Sequence, residues 1–211
     1  MQSTEINCEK LSKTFSGKTI FKNFSFSISS GSSVVITGRN GSGKSTLVKV
    51  ISNLLQPSKG KISLKVNEKE ISRPDHFRYT GLVSPYLNLY DELSGIENLI
   101  FFYNLKSDGK SDATEKVNYY LNKVNLFERR NEIIRNYSTG MKQKLKIAYA
   151  LMNKPEILIL DEPGSNLDKE GADLISDICE EQKKNGILIL ATNNEKEKEY
   201  CEQVVNIEDY K

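Results

Sequence analysis

A run of consecutive residues has the composition and order of a phosphate-binding loop. It extends from Gly38 to Thr46, reads Gly-Arg-Asn-Gly-Ser-Gly-Lys-Ser-Thr and matches the pattern G-x-x-x-x-G-K-S/T. Glycines let backbone N–H groups approach a phosphate, the lysine contacts the β- and γ-phosphates, and the following hydroxyl binds Mg²⁺. The predicted phosphate contacts are Gly38, Arg39, Asn40, Gly41, Ser42, Gly43, Lys44, Ser45 and Thr46. We call this segment the phosphate loop.

The residues on either side of the phosphate loop fit the motif. Val34 to Ile36 form a β-branched run typical of a buried strand, and Leu47 to Ile51 begin a helix. The phosphate would then lie at a helix N-terminus, where the helix dipole favours an anion. The alternative is a glycine-rich turn that matches the motif by chance, and it leaves these flanks unexplained.

Two carboxylates follow the apolar run from Ile157 to Leu160. Asp161 and Glu162 stand where this predicted strand ends, which is where an open parallel sheet places its ligands. Asp161 would hold Mg²⁺ together with Ser45, and Glu162 would polarise the water that attacks the γ-phosphate. A solvated acidic turn is the alternative, but the phosphate loop upstream favours the catalytic interpretation.

The apolar pattern predicts an α/β fold that positions these residues. Alternation over residues 6–15 and 18–29 predicts an antiparallel β layer ahead of the phosphate loop, and residues 61–66 predict a half-exposed strand. The continuous runs at 157–160 and 187–190 are typical of parallel strands buried on both faces. The helical residues between these two runs complete a βαβ unit, and a weak last strand follows at residues 204–207.

A helical interval interrupts this framework. From Asp91 to Met152 the apolar residues fall mostly at helical spacing, as in Val117, Tyr120, Leu121 and Val124. We therefore predict one domain over residues 1–211, with a helical subdomain inserted at approximately residues 86–152.

Composition excludes several classes of protein. Among the 211 residues, 30 Lys and Arg against 28 Asp and Glu leave a net charge of +2, too balanced to indicate a nucleic-acid partner. Cys8, Cys179 and Cys201 match no metal or redox spacing, which favours a reduced cytoplasmic setting. No apolar run approaches the roughly 20 residues that cross a bilayer, and the polar start has no signal core.

In their order along the chain, these motifs resemble the nucleotide-binding subunit of ATP-binding-cassette (ABC) transporters. Ser138-Thr139-Gly140-Met141 resembles the family signature, and we call it the signature tract. Ser165 to Asp168 resemble the D-loop, and Asn193 occupies the switch position. Phe15 stands where the family has an aromatic residue that stacks on adenine.

The resemblance implies an ATPase of the P-loop type with ATP and Mg²⁺ as ligands. It implies that Ser138, Thr139, Gly140 and Met141 contact the ATP held by a partner copy, in a homodimer or heterodimer. It also implies a separate transmembrane permease, which would place the chain on the cytoplasmic face of the plasma (inner) membrane. For Ser138 alone, an ordinary helix N-cap is a second interpretation, and both can hold.

Three positions depart from the family pattern. Asn193 replaces the switch histidine, and Pro85 or Tyr86 stands in place of a glutamine that senses Mg²⁺ and water. Thr139 and Met141 are typical of an exporter branch with a Ser-x-Gly-Met signature. The expected catalytic residues are Glu162, Asn193 and Lys44, and the expected hydrolysis is slow.

Other functions remain open at this point. A soluble ABC-type ATPase of DNA repair or ribosomes usually carries a coiled-coil insertion or a second cassette, and neither occurs here. A nucleotide-gated regulatory module with weakened catalysis would explain Pro85 and Asn193. An unrelated P-loop enzyme leaves the signature tract unexplained. A docking groove for the permease would lie beside Pro85 to Leu93, where an apolar surface is offered by Tyr86, Leu87, Leu89 and Tyr90. The alternative is that these four residues are core between the sheet and the helices.

Overall fold

The computed structural model describes residues 3–106 and 113–211 of the chain. Its strands are β1 (Thr4–Phe15), β2 (Lys18–Ser29), β3 (Ser32–Thr37), β4 (Lys59–Val66), β5 (Lys69–Ile71), β6 (Thr80–Val83), β7 (Ile157–Asp161), β8 (Ile187–Ala191) and β9 (Gln203–Asn206). Its α-helices are α1 (Lys44–Ile51), α2 (His76–Tyr79), α3 (Gly95–Lys106), α4 (Ala113–Lys123), α5 (Thr139–Leu151), α6 (Lys169–Asn185) and α7 (Glu195–Lys198).

The first sheet is antiparallel, with strand order β2-β1-β4-β5. Its longest pairing joins β1 to β2 and ends at the turn where Phe15 pairs with Lys18. Alternate residues of these strands are buried, which gives the sheet one apolar face. The predicted β layer ahead of the phosphate loop is therefore confirmed.

The second sheet is parallel, with strand order β6-β7-β8-β3-β9. In its register, Ala191 of β8 lies between Ile36 of β3 and Asp161 of β7. The phosphate loop directly follows β3, Glu162 follows β7 and Thr192 follows β8. All three therefore lie at the same edge of the sheet. The α/β prediction and the βαβ unit formed by β7, α6 and β8 are confirmed.

Two apolar layers cover the faces of the parallel sheet. Ile157 and Ile159 of β7 pack in the layer shared with α1 and the antiparallel sheet. Leu158 and Leu160 of the same strand pack in the layer shared with α3, α4, α5 and α6. Because successive side chains point to opposite faces, a strand covered on both sides needs apolar residues throughout. The continuous apolar runs of β7 and β8 have this cause.

Helices α3, α4 and α5 confirm the helical character predicted between Asp91 and Met152 for the part that the structure describes. Leu99, Leu121 and Leu145 are fully buried, one from each helix. Residues 107–112 lie outside the described residues, and the subdomain limits of 86–152 stay a prediction. None of the helices in the two described ranges is long and apolar enough to cross a membrane.

Candidate functional site

The phosphate loop connects β3 to α1, and its glycines hold conformations that other residues rarely adopt. Gly38 has φ 141° and Gly43 has φ 111°. A Cβ atom on Gly43 would lie 2.6 Å from Cγ2 of Ile20. Gly43 is also the N-cap of α1, and no side chain caps the helix there. The first amides of α1 are therefore available to an anion such as phosphate.

Lys44 folds back across the loop. Its side chain is 6% exposed, and Nζ donates a hydrogen bond of 2.8 Å to the Gly38 carbonyl. The same Nζ lies 3.7 Å from Oε1 of Glu162. A buried ammonium needs such partners, and a phosphate in the loop would offer it a stronger one.

Ser45 and Asp161 form a pair that suits a magnesium ion. The Ser45 hydroxyl donates to Oδ1 of Asp161 across 3.2 Å. Asp161 is fully buried, and its second oxygen, Oδ2, has no hydrogen-bond partner. Burial raises the pKa of this carboxyl group, because the charged form is deprived of water. A hydroxyl beside an unpartnered carboxylate oxygen fits Mg²⁺, which prefers oxygen ligands.

Glu162 holds a backbone conformation with φ 50°, which is uncommon for a residue other than glycine. Its N–H donates to the carbonyl of Ala191 across 2.8 Å, which fixes it to the end of β8. Its side chain remains about one-third exposed. Backbone strain of this kind concentrates at functional sites, where surrounding contacts maintain it.

The switch position contacts the phosphate loop directly. Nδ2 of Asn193 donates to Oδ1 of Asn40 across 2.8 Å. The preceding residue, Thr192, is fully buried, and its N–H donates to the Ile36 carbonyl at the end of β3. The structure thus places Asn193 against the phosphate loop, which also carries Lys44, and the Lys44 ammonium faces Glu162.

Phe15 lies at the turn between β1 and β2. Its side chain is 45% exposed, and the Lys13 ammonium lies 4.8 Å from its ring centroid. The same hairpin supplies Ile20, which contacts Gly43 of the phosphate loop. The hairpin therefore presents an exposed aromatic ring on an element that touches the loop.

The signature tract caps α5. Ser138 is the N-cap of this helix, and its Oγ accepts a hydrogen bond of 3.2 Å from the Met141 N–H. The N-cap interpretation is confirmed. Gly140 lies against the Asn166 carbonyl. The signature tract and residues 166–168 line one cavity, together with Arg129. Within residues 3–106 and 113–211, no hydrogen bond or ion pair joins the signature tract to the phosphate loop.

Comparison with known proteins decides the family. The family model described as ABC transporter matches residues 21–165. The chain belongs to the ABC transporter family. This confirms the predicted resemblance, and ATP hydrolysis is the general activity of such cassettes.

Relatives of this ABC subunit include several bacterial ATP-binding proteins. The arginine transport protein ArtM of Bacillus subtilis is 34% identical over 90% of this chain and 81% of its own length. The glutamine transport protein GlnQ of Geobacillus stearothermophilus is 32% identical over 88% of this chain and 78% of its own. The linearmycin resistance protein LnrL of Bacillus subtilis is 32% identical, and the chain spans 62% of that relative's length.

Solved structures agree on the fold. A cassette described as the ATP-binding subunit of an ABC transporter superposes with a TM-score of 0.83 at 27% identity, covering 96% of this chain and 85% of that one. A dimeric cassette bound to ADP and phosphate superposes with a TM-score of 0.86 at 23% identity, covering 96% and 94%. At that identity the second likeness concerns the fold alone.

Pro85 and Tyr86, which we expect to depart from the family pattern, lie on the surface, and Tyr86 lies beside α1. Pro85 is exposed, and Tyr86 is 58% exposed with its ring centroid 3.3 Å from the Lys49 ammonium. Tyr90 is also exposed and packs edge-to-face against Phe101, with 5.0 Å between the ring centroids. The alternative that these side chains are core is therefore wrong for Tyr86 and Tyr90, whereas Leu87 and Leu89 are half-buried.

Several residues near the site could not be predicted from the sequence motifs. Gln143 of α5 donates to the Pro163 carbonyl across 2.9 Å, and Lys211 donates to the Ser42 carbonyl across 2.8 Å. Glu208 accepts from the Arg39 N–H, and Glu197 is buried behind the switch position. None of these residues belongs to a motif, and their contacts join parts of the chain that lie far apart in sequence.

Proposed function

We propose that two ATP-binding subunits, either two copies of this chain or one copy and a related partner, enclose two ATP molecules between them. One observation carries the proposal: the phosphate loop and the signature tract are each arranged at a helix N-terminus, yet no hydrogen bond or ion pair joins them among the described residues of one copy. A signature tract facing the loop of the partner would complete each site. ATP binding would close the pair, and hydrolysis would open it.

In this proposal, different residues of one copy bind different parts of the nucleotide. Phe15 stacks on the adenine, and the phosphate loop binds the phosphates through its amides and Lys44. Ser45 and Asp161 hold Mg²⁺, which supplies charge neutralisation at the phosphate oxygens. Three observations support these assignments: the Phe15 ring is exposed, no side chain caps α1, and Oδ2 of Asp161 has no hydrogen-bond partner.

Hydrolysis would depend on the Lys44 and Glu162 pair. When phosphate attracts the Lys44 ammonium, the Glu162 carboxylate loses its partner and can accept a proton from water. Asn193 can donate a hydrogen bond to the γ-phosphate, but an amide carries no charge and relays no proton. Pro85 has no side-chain acceptor, and the Tyr86 ring lies on Lys49. We therefore expect hydrolysis that is real but slow.

Closing and opening of the pair would drive a separate permease in the plasma (inner) membrane. This chain would lie on the cytoplasmic face of that membrane. Exposed aromatic side chains favour residues 85–93 as its docking surface, since Tyr86 and Tyr90 are each about half exposed. The named relatives concern arginine, glutamine and linearmycin resistance, so they do not agree on a cargo. Cargo choice would belong to the permease.

Steady-state ATPase activity tests this function, with Glu162→Gln as the blank. The amide keeps the size of the side chain and removes the base, so wild-type protein should hydrolyse Mg-ATP faster than the variant. Activity no higher than the blank, with ATP binding intact, would instead support the nucleotide-gated regulatory module that Pro85 and Asn193 favour.

A further inference from the structure

A buried carboxylate lies behind the switch position. Glu197 of α7 is 6% exposed, although the other acidic residue of this short helix, Glu195, has an 84% exposed side chain. Oε2 of Glu197 has no hydrogen-bond partner. Burial raises the pKa of this carboxyl group, and the nearby charge of Glu162 raises it further. Burying a carboxylate is unfavourable, so its retention here points to a specific role.

The Glu197 carboxylate joins two segments that leave the same sheet edge. Polar contacts with Thr192 and Gly164 lower the pKa of its carboxyl group, against the effect of burial. Its Oε1 also occupies the space that a Cβ atom on Gly164 would need. Thr192 precedes the switch position, and Gly164 follows Glu162 by two residues.

The segment of Thr192 leads to the phosphate loop, and the segment of Gly164 leads to the signature tract. The Thr192 N–H donates to the Ile36 carbonyl near the end of β3, two residues before the phosphate loop. On the other side, Pro163 accepts the hydrogen bond from Gln143, which belongs to α5. The N-terminus of α5 carries the signature tract. A continuous set of contacts therefore leads from the switch position through Glu197 to the signature helix.

We propose that Glu197 is a positioning residue that couples the nucleotide-sensing switch segment to the signature helix of the same copy. The inference rests on the proposed function and deepens it. A nucleotide contact that moves Asn193 moves Thr192, and Glu197 transmits this displacement to residues 163–164. ATP bound in one copy would thereby set the position of the signature tract that the same copy offers to its partner.

Amide hydrogen exchange of the peptide that contains Ser138–Met141, with and without Mg-ATP, tests the coupling without requiring hydrolysis. We expect ATP to slow exchange of this peptide in the wild-type protein and to leave it unchanged in Glu197→Ala. Glu197→Gln should restore the response, because the amide keeps the size of the side chain and its oxygen can still accept hydrogen bonds from Thr192 and Gly164. Glu195→Gln is the matched control on the exposed side of α7 and should behave as wild type.

Kinetics separate this role from a merely structural one. Glu197→Ala should lower kcat about tenfold or more while KM for Mg-ATP changes less than about threefold, since misplacement affects the transition state. Gly164→Ala keeps the carboxylate but displaces it, and should give the same pattern. A wild-type exchange response in Glu197→Ala would overturn the inference. So would parallel losses of ATP affinity and thermal stability in both variants, which indicate a structural role.

The two proposals fail in different ways. If wild-type protein hydrolyses ATP no faster than Glu162→Gln, the proposed function fails, and the exchange experiment still decides the role of Glu197. If hydrolysis is present and the exchange response survives in Glu197→Ala, only the coupling proposal fails.

Discussion

The Asn193 side-chain amide donates a hydrogen bond to the Asn40 side-chain carbonyl, with 2.8 Å between nitrogen and oxygen. The residue at the switch position is therefore held against the phosphate loop of its own copy. This contact would present an N–H group where a γ-phosphate enters. It also limits what the position can do, because an amide does not titrate.

Replacing Asn193 with histidine should raise the hydrolysis rate. An imidazole can donate a hydrogen bond, carry a positive charge near neutral pH and relay a proton. We expect an increase in kcat of several-fold, toward the gain typical of a positioned acid or base, with little change in KM. Steady-state kinetics at pH 7 measure both constants. An unchanged or lower kcat would mean that the site makes its γ-phosphate contact in another way.

Replacing Asp161 with asparagine should stabilise the nucleotide-free protein and abolish Mg²⁺-dependent ATP binding. Burial raises the pKa of Asp161 in the folded state, so the unfolded chain loses this proton at lower pH. The charge therefore lowers the free energy of unfolding as pH rises through the folded pKa, and asparagine removes that penalty. We expect a melting temperature higher by about 2 °C or more at pH 7.5.

The stabilising effect of Asp161→Asn should shrink on acidification, because Asp161 then becomes neutral in the folded protein as well. Asp177→Asn, on the exposed face of α6, is the control and should change the melting temperature little. A lower melting temperature for Asp161→Asn at pH 7.5 would show that the carboxylate stabilises the empty protein.

Replacing Gly43 with alanine should weaken ATP binding by about tenfold or more, equivalent to about 1.4 kcal/mol. Two effects combine at this glycine: its φ of 111° disfavours any side chain, and the new Cβ would lie 2.6 Å from Ile20. Fluorescent ATP-analogue binding measures the loss. Gly31→Ala is the control, since Gly31 has φ 83° with no atom within 4 Å of the added Cβ. Equal affinity in Gly43→Ala and wild type would contradict the proposed role of the loop.

Much of the framework could be predicted because its signals are local. The continuous apolar runs mark β7 and β8, and parallel strands place the residues after their carboxyl ends at one edge of the sheet. The glycine pattern fixes the backbone of the phosphate loop in the same local way. The pairing of Ser45 with Asp161 can be predicted from these two facts alone.

Other parts depend on packing that no local pattern records. Strand β6 (Thr80–Val83) has four residues, one of them Gly81, and becomes recognisable only through its pairing with β7. His76 stands in a polar stretch of sequence but is buried, with its Nε2 3.1 Å from the Ile71 carbonyl. Glu197 lies among charged residues of the sequence, yet it is buried, with its Oε1 against Gly164.

Mixing two inactive variants tests most directly whether each site is shared between copies. Lys44→Ala destroys the phosphate loop and keeps the signature tract, whereas Gly140→Asp places a carboxylate in the signature tract and keeps the loop. In a mixed dimer, one site contains both defects and the other contains neither.

The measurement is the ATPase rate of the equimolar mixture against the sum of the two variants alone. Our account predicts a mixture clearly faster than that sum, approaching about a quarter of the wild-type rate if copies pair at random and sites act independently. A mixture no faster than the sum, or full activity of Gly140→Asp alone, would contradict a site shared between two copies of this chain.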